Sequence, residues 1–429
     1  MYERQMNLEQ PLAIVAQSKR KPAAPANILD RAIDPAAAWR ETVIPFAASR
    51  VLLLLVTAIV MALNGLRGVP GATAPVTDTL AGYWDRWDAQ WYLRVATNGY
   101  SAAPDLHNHV SLAFFPLYPL LLHLFLAVWP WSPAAAALVL SNACFFAAAS
   151  TLYQLVGLDF GHRTARRAVW VLALFPTSLF FFAGYSESLF LLCLLRCCYH
   201  LRLRQWWMAG LWGGLAGAAR PLGILLVGPF LVAWWEKDGG KTPFHLGTLG
   251  RAALARLRHA PSTLAAGALI PAGVLAYMVF LWLSFGQPLA FSASQRSWHR
   301  GWAWPWQAVA GALTQPFAHF PQISGTDVHA MTDSLWGLLF LAMSIPATRA
   351  LPRQYACYLW LFWLEVLSTP ALLDGAPSPL ISMPRFLATA FPIIIFLSGA
   401  RRRFLITCAV SIPFLIFNTI VFLSGGWVA

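Results

Sequence analysis

Charge is what this sequence has least of: Asp, Glu, Lys and Arg make up 11% of its 429 residues, against 58% that are hydrophobic. A soluble chain could not cover so much apolar surface, which excludes a soluble domain and leaves a polytopic membrane protein. Acid is the scarcer sign, with 17 Asp and Glu against 30 Lys and Arg. The excess of base does not point to nucleic acid, because it falls in short clusters between apolar runs, the pattern of cytoplasmic loops. The six cysteines (Cys144, Cys193, Cys197, Cys198, Cys357 and Cys408) all lie in apolar segments with no CxxC pair, so neither a disulfide framework nor a zinc site is expected. No P-loop, GxGxxG, HExxH, EF-hand loop or GxSxG occurs, which argues against nucleotide hydrolysis, zinc proteolysis and serine-esterase chemistry. The start of the chain lacks the apolar core of a signal peptide. Residues 1–40, with Lys19, Arg20 and Lys21 before an Ala/Pro stretch, read as a disordered cytoplasmic tail ahead of a single membrane domain, 41–429.

What is present is a series of apolar runs. The first, Val43 to Leu63, has roughly the 20 residues a bilayer needs, with Arg50 near its start, where it can snorkel to the inner headgroups. Later spans are expected at 134–156, 167–184, 186–201, 206–219, 220–235, 261–284, 333–348, 354–372, 384–399 and 404–425. The run Leu112 to Trp129 is broken early by Pro116 and Pro119, and whether it crosses decides the topology of all that follows. Treated as juxtamembrane or re-entrant, it leaves most of the Lys and Arg on the cytoplasmic side; treated as a span, it puts most of them outside. Positive charge stays inside, so the non-crossing reading is preferred. The expected fold is therefore all-α and polytopic, with about 11 transmembrane helices and a helical juxtamembrane first external loop. The segment 206–235 reads either as a tight hairpin of two short helices or as one long tilted helix.

That topology puts every polar cluster able to do chemistry on the external face. The first is YWDRWDAQWYLRVATNGY, Tyr83 to Tyr100. Trp84, Trp87, Trp91 and Tyr92 favour the interface between headgroups and hydrocarbon. Asp85 and Asp88 share a face if the segment is helical, and each has an aromatic neighbour to desolvate it. Either can serve as a general base where water-soluble and lipid-bound reactants meet; the plainer reading is an interfacial helix with solvated acids.

Further along, Glu187 lies between Ser186 and Ser188 at the tip of an expected helical hairpin. It reads either as a site acid needing a partner among apolar segments or as the first residue of a helix capped by Ser186. Gln295, Trp298, His299 and Arg300 follow a Gly286-Gln287-Pro288 turn. Amide, indole and guanidinium groups suit sugar hydroxyls, a sugar ring face and a phosphate. Trp302, Trp304 and Trp306 continue that run and suit an aromatic belt. Arg385, in SPLISMPRF (Ser378–Phe386), can snorkel or bind a lipid phosphate. Arg220-Pro221 breaks a helix within apolar sequence, for structural or functional reasons; Glu365 lies inside a span and calls for a buried arginine; His123 belongs with juxtamembrane packing.

Taken in order, WDAQWYLRVATNGY, AFFPLYPLL, LSNACFFAAASTLYQL, ALFPTSLFFFAGYSESLF, GLAGAARPLGILL, FGQPLAFSASQRSWHR and SMPRFLATAFP resemble the PIG-V-like mannosyltransferases. These are polytopic glycosyltransferases of the GT-C class, related to the enzyme that adds the second mannose of the eukaryotic GPI anchor. The resemblance covers residues 40 to 400. It implies a GT-C-type fold and transfer of a sugar, mannose in the eukaryotic members, from a polyprenyl or dolichyl phosphate to a hydroxyl of a lipid, glycan or protein acceptor on the non-cytoplasmic face. The family's first-loop acid matches Asp88 rather than Asp85, its hairpin SES matches Ser186–Ser188, and its late loop matches Ser382–Phe386. Polyprenyl phosphate leaves readily, so one carboxylate suffices: Asp88 as base, with inversion, and Arg385 and Arg300 facing the phosphate charge. No resident cofactor is expected and metal dependence is left open. The site would lie at the cytoplasmic membrane of a bacterium or in the endoplasmic reticulum of a eukaryote. The rivals are a carrier or flippase for a polyprenyl-linked sugar and a non-enzymatic assembly subunit.

Overall fold

The computed structural model describes residues 33–67, 79–103, 110–128, 132–236, 261–298, 300–314, 325–373, 376–377, 380 and 382–428. They form helices α1 (Pro35–Arg67), α2 (Leu80–Trp84), α3 (Asp88–Asn98), α4 (Leu117–Val128), α5 (Pro133–Phe160), α6 (His162–Ala173), α7 (Glu187–Arg202), α8 (Trp206–Ala219) and α9 (Val227–Trp235). The second half adds α10 (Pro261–Phe285), α11 (Ala290–Ser294), α12 (Pro305–Thr314), α13 (Gly325–Ala350), α14 (Arg353–Ser368), α15 (Met383–Leu387), α16 (Phe391–Ser398) and α17 (Arg401–Leu423). Sheet-type pairing among the described residues is confined to a two-residue antiparallel ladder, Leu372–Leu373 with Ala376–Pro377, and an isolated bridge between Arg300 and Ala371. Five helices, α1, α5, α10, α13 from Ala330 and α17, are long and apolar enough to cross a membrane. This is the architecture of a helical multi-pass membrane protein. Leu55, Leu283 and Phe417 stay exposed on three of these helices, a surface hydrocarbon would cover.

α1 begins at Pro35, inside the expected tail, because Asp34 accepts from the amide of Ala36 at 3.1 Å and Pro35 fits the first helical position. That early start carries Arg50 to the middle of the helix and corrects its expected snorkelling. Arg50 is buried: Nε donates to Asn142 Oδ1 at 2.8 Å, Nη2 to the Phe181 carbonyl at 3.2 Å, and the guanidinium lies 4.1 Å from the Phe145 ring. α4 has 12 residues, about 18 Å of rise against a hydrocarbon layer of about 30 Å, so it does not span one alone.

The expected span 167–184 is not one helix. α6 stops at Ala173 because Pro176 has no amide to continue it and disfavours helical geometry at Phe175. A single 3-10 turn, Ser178–Phe181, follows before α7 starts at Glu187. Irregular backbone among apolar helices must have its carbonyls satisfied. Here side chains do so: Asn418 donates to the Pro176 carbonyl at 2.9 Å, Ser188 and Arg50 to Phe181, and Asn142 to Phe182 at 3.1 Å. The expected span 384–399 is likewise divided, into α15 and α16.

In 206–235 the chain breaks at Arg220, which is extended, and turns through a 3-10 segment, Pro221–Leu226, into α9. The turn is so tight that a Cβ on Gly223 would fall 2.2 Å from the Gly217 nitrogen. α8 also presses its backbone onto α10: a Cβ on Gly273 would lie 1.9 Å from the Gly214 carbonyl oxygen. Small residues allow this close packing where apolar surface alone cannot drive helices together.

Candidate functional site

Four charged side chains from four separate segments meet at one end of this framework. Asp88 is the first residue of α3 and Glu187 the first of α7; Arg220 sits at the break after α8, and Arg385 lies in α15. Arg385 bridges both acids, with Nη2 2.6 Å from Asp88 Oδ2 and Nε donating to Glu187 Oε1. Arg220 Nη1 reaches the same Glu187 oxygen at 2.5 Å. Glu187 is sealed in, with its side chain 1% exposed, whereas Asp88 is 16% exposed. The buried acid is thus held by two arginines, and the acid that a reactant can approach is held by one.

Local geometry explains how a helix start delivers each acid. Trp87, the cap of α3, has φ 54° and ψ −122°, a conformation L residues rarely adopt. Its ring packs edge-on against Trp427, 5.1 Å between centroids, so the end of the chain braces the residue preceding Asp88. On α7, the hairpin is tied to α3 by Tyr92 Oη and Ser186 Oγ, 2.6 Å apart. Tyr185 Oη donates to the Arg86 carbonyl at 3.1 Å, while its ring lies 4.7 Å from the Arg385 guanidinium. Burial pushes the Tyr92 hydroxyl up to about 12 and that of Tyr185 well above its ordinary value, so both stay protonated at neutral pH.

Arg300 joins the edge of the cluster. Its guanidinium lies 4.9 Å from the Phe386 ring and donates to the Thr369 carbonyl at 3.3 Å. Burial lowers its pKa to about 10, opposed by the charge of Glu365, and it remains cationic at neutral pH. Arg220 lies 5.9 Å from Phe386, so two guanidinium groups lie near that ring.

Of the residues singled out in the sequence, Asp88, Glu187 and Arg385 are brought into direct contact and Arg300 lies beside them. Asp85 does not join them. It caps the end of α2 and lies beside Trp84, Leu93 and Leu138, where one carboxylate oxygen has no hydrogen-bond partner among the described residues. Burial raises its pKa, with Arg86 opposing. Gln295 lies in a 3-10 turn and accepts the Arg300 amide through its carbonyl; no contact with the charged cluster is made by its side chain among those described. His299 and the side chain of Trp298 lie outside the described residues. Arg220 is the participant that sequence reasoning left undecided. Its signal was an arginine before proline in an apolar run, which a helix break alone also explains. Glu365 finds its positive neighbour in Arg300.

Fold and site thus define a multi-pass helical membrane protein with a buried charge cluster fed by several loops. Residues 48–236, which include Asp88, Glu187 and Arg220, match the family described as mannosyltransferase (PIG-V). Over that stretch the chain is similar to the family that its motifs resemble. Among curated proteins it is similar to GPI alpha-1,6-mannosyltransferase 2 of Rattus norvegicus, 30% identical over 168 residues, and of Cricetulus griseus, 33% identical. Each alignment covers 37% of this chain and 33% of the relative; the chain therefore spans about a third of the length of the curated relatives it matches. No solved structure matches.

Proposed function

We propose that this chain is a membrane glycosyltransferase of GT-C type with about eleven spans. It moves mannose from a polyprenyl or dolichyl phosphate to a hydroxyl of a lipid, glycan or protein acceptor on the non-cytoplasmic face, with inversion. The observation that carries the reading is the Asp88–Arg385–Glu187 bridge, in which the accessible acid is aimed by an arginine that a buried acid locks in place. Asp88 takes the acceptor proton as the hydroxyl oxygen attacks the anomeric carbon and the phosphate departs with the bonding pair. Arg385 already faces two carboxylates, so its role is to orient Asp88. Arg300 and Arg220, near the Phe386 ring, are placed to meet the charge that develops on the phosphate. Similarity to the GPI mannosyltransferases supports mannose as the sugar.

The test is transfer from radiolabelled polyprenyl-phosphate mannose to total lipid extract by membranes holding wild type, Asp88→Asn or Asp85→Asn at equal expression. Wild type and Asp85→Asn are expected to label a product, and Asp88→Asn to lose at least roughly 100-fold, the usual scale of a lost general base. Equal transfer by Asp88→Asn would remove the base assignment, and transfer lost in Asp85→Asn alone would move it to Asp85.

A further inference from the structure

Arg385 can bridge two acids only if the short α15 that carries it is fixed in place. That helix has five residues, too few to hold itself. It is entered through Ser382, a non-glycine residue in left-handed conformation at φ 67° and ψ 14°. The backbone there needs outside support, and two side chains supply it. On one side Thr177 Oγ1, from the irregular segment after α6, donates to the Pro384 carbonyl at 2.7 Å. On the other, Asp333 Oδ2 accepts from the Ser382 amide at 3.1 Å.

Asp333 is an unusual residue for its place. It lies in the apolar part of α13, is 7% exposed, and makes no ion pair among those described. A carboxylate at such a position is costly and calls for a role. One turn further along α13, Gly337 lets the helix close on the same segment: a Cβ there would fall 2.2 Å from Leu380 Cδ1 and 3.2 Å from Met383 Cγ. Asp333 and Gly337, four apart on one helix face, thus grip both sides of Ser382.

We infer that Asp333 is a positioning residue, which holds the Ser382 amide and through it fixes the Arg385 bridge to Asp88 and Glu187. The inference rests on the proposed site for its catalytic consequence, but not for the clamp itself. Asp333 acts as a hydrogen-bond acceptor, which an asparagine oxygen reproduces and leucine does not.

The experiment compares full-length wild type, Asp333→Asn and Asp333→Leu in lipid nanodiscs by hydrogen–deuterium exchange and mannose transfer. Asp333→Asn is expected to keep the protection of peptides covering 380–390 and to transfer at close to the wild-type rate. Asp333→Leu is expected to exchange faster in those peptides and to lose kcat by roughly 10- to 100-fold, the scale of a misplaced catalytic group, with donor KM unchanged. Gly337→Ala, which pushes on Leu380 while retaining the carboxylate, is expected to speed exchange in the same peptides and serves if Asp333→Leu does not fold. Unchanged exchange in both Asp333→Leu and Gly337→Ala would overturn the inference. So would Asp333→Asn as defective as Asp333→Leu, because charge rather than the amide contact would then matter. Altered exchange in a protein whose wild type transfers no mannose would uphold the clamp and overturn the transferase reading.

Discussion

At the scale of single residues, the site depends on how charges are paired in a chain that has few of them. Glu187 is sealed in with both Arg220 and Arg385 on one oxygen, so neutralising it leaves two arginines facing each other beside a single remaining acid, Asp88. Leaving a buried charge without its partner costs about 3–5 kcal/mol, more than the pair contributes when intact. Glu187→Gln is therefore expected to destabilise the protein strongly, and Arg220→Gln added to it is expected to restore part of the loss. Thermal melts of the two single variants and the double variant in detergent would read a coupling of about 1–3 kcal/mol; strictly additive losses would mean that Arg220 and Glu187 do not depend on each other. This pairing also shows what was legible beforehand. Glu187 stood out because an acid amid apolar segments needs a partner, Asp88 because it lies in a Trp-rich interfacial loop, and Arg385 because a lone base in a late loop can meet a lipid phosphate. Arg220 did not, since a proline follows it and a helix break accounts for the sequence equally well. Arg50 was misjudged because its depth depends on where the helix starts, and that is decided by Asp34 and Pro35 outside the apolar run.

Among the elements, the apolar runs announced helices but not their interruptions. The run 167–184 is long and apolar enough for a span, yet Pro176 ends α6 and the next turns are held by Arg50, Asn142 and Asn418, residues far away in the chain. No local pattern reveals such long-range partners. The glycines of WWMAGLWGGLAGAARPLG suggested a tight hairpin within 206–235, but not that α8 packs on α10. Its partner in α10, Gly273, is a single glycine between apolar residues and attracts no notice by itself. With only 1.9 Å between a new Cβ and the Gly214 carbonyl oxygen, Gly273→Ala cannot be absorbed by a side-chain rotation. The helices must separate, at about 1–3 kcal/mol, as overpacking usually costs. A melting temperature unchanged in Gly273→Ala would show that the two backbones are not in contact.

For the whole molecule, the arrangement that matters is the gathering of distant loops at one end. Asp88 follows α2, Glu187 opens α7, Arg220 ends α8, Arg300 follows α11 and Arg385 sits in α15, and their contacts require all five to share one membrane face. The short α4 is consistent with that requirement, because a crossing there would turn the later loops over. The opposite ends carry a different chemistry. Arg202 and Tyr355 meet Asp159 where α7 ends and α14 begins, and Arg166 pairs with Glu41 near the start of α6. Exposed Arg163, Arg401 and Arg402 belong to the basic loops expected inside the cell. This separation makes the sidedness testable by single cysteines in a background lacking the six native ones. Cysteines at the exposed positions Thr97 and Arg296 are expected to react with a membrane-impermeant maleimide added to intact cells or sealed, correctly oriented vesicles. Cysteines at Arg163 and Arg402 are expected to react only after permeabilisation. Labelling of Thr97 from one side and Arg296 from the other would separate Asp88 from Arg300 and break the site. Labelling of all four in the reverse sense would keep the site intact but turn it toward the cytoplasm, where a nucleotide-sugar donor would become the better reading.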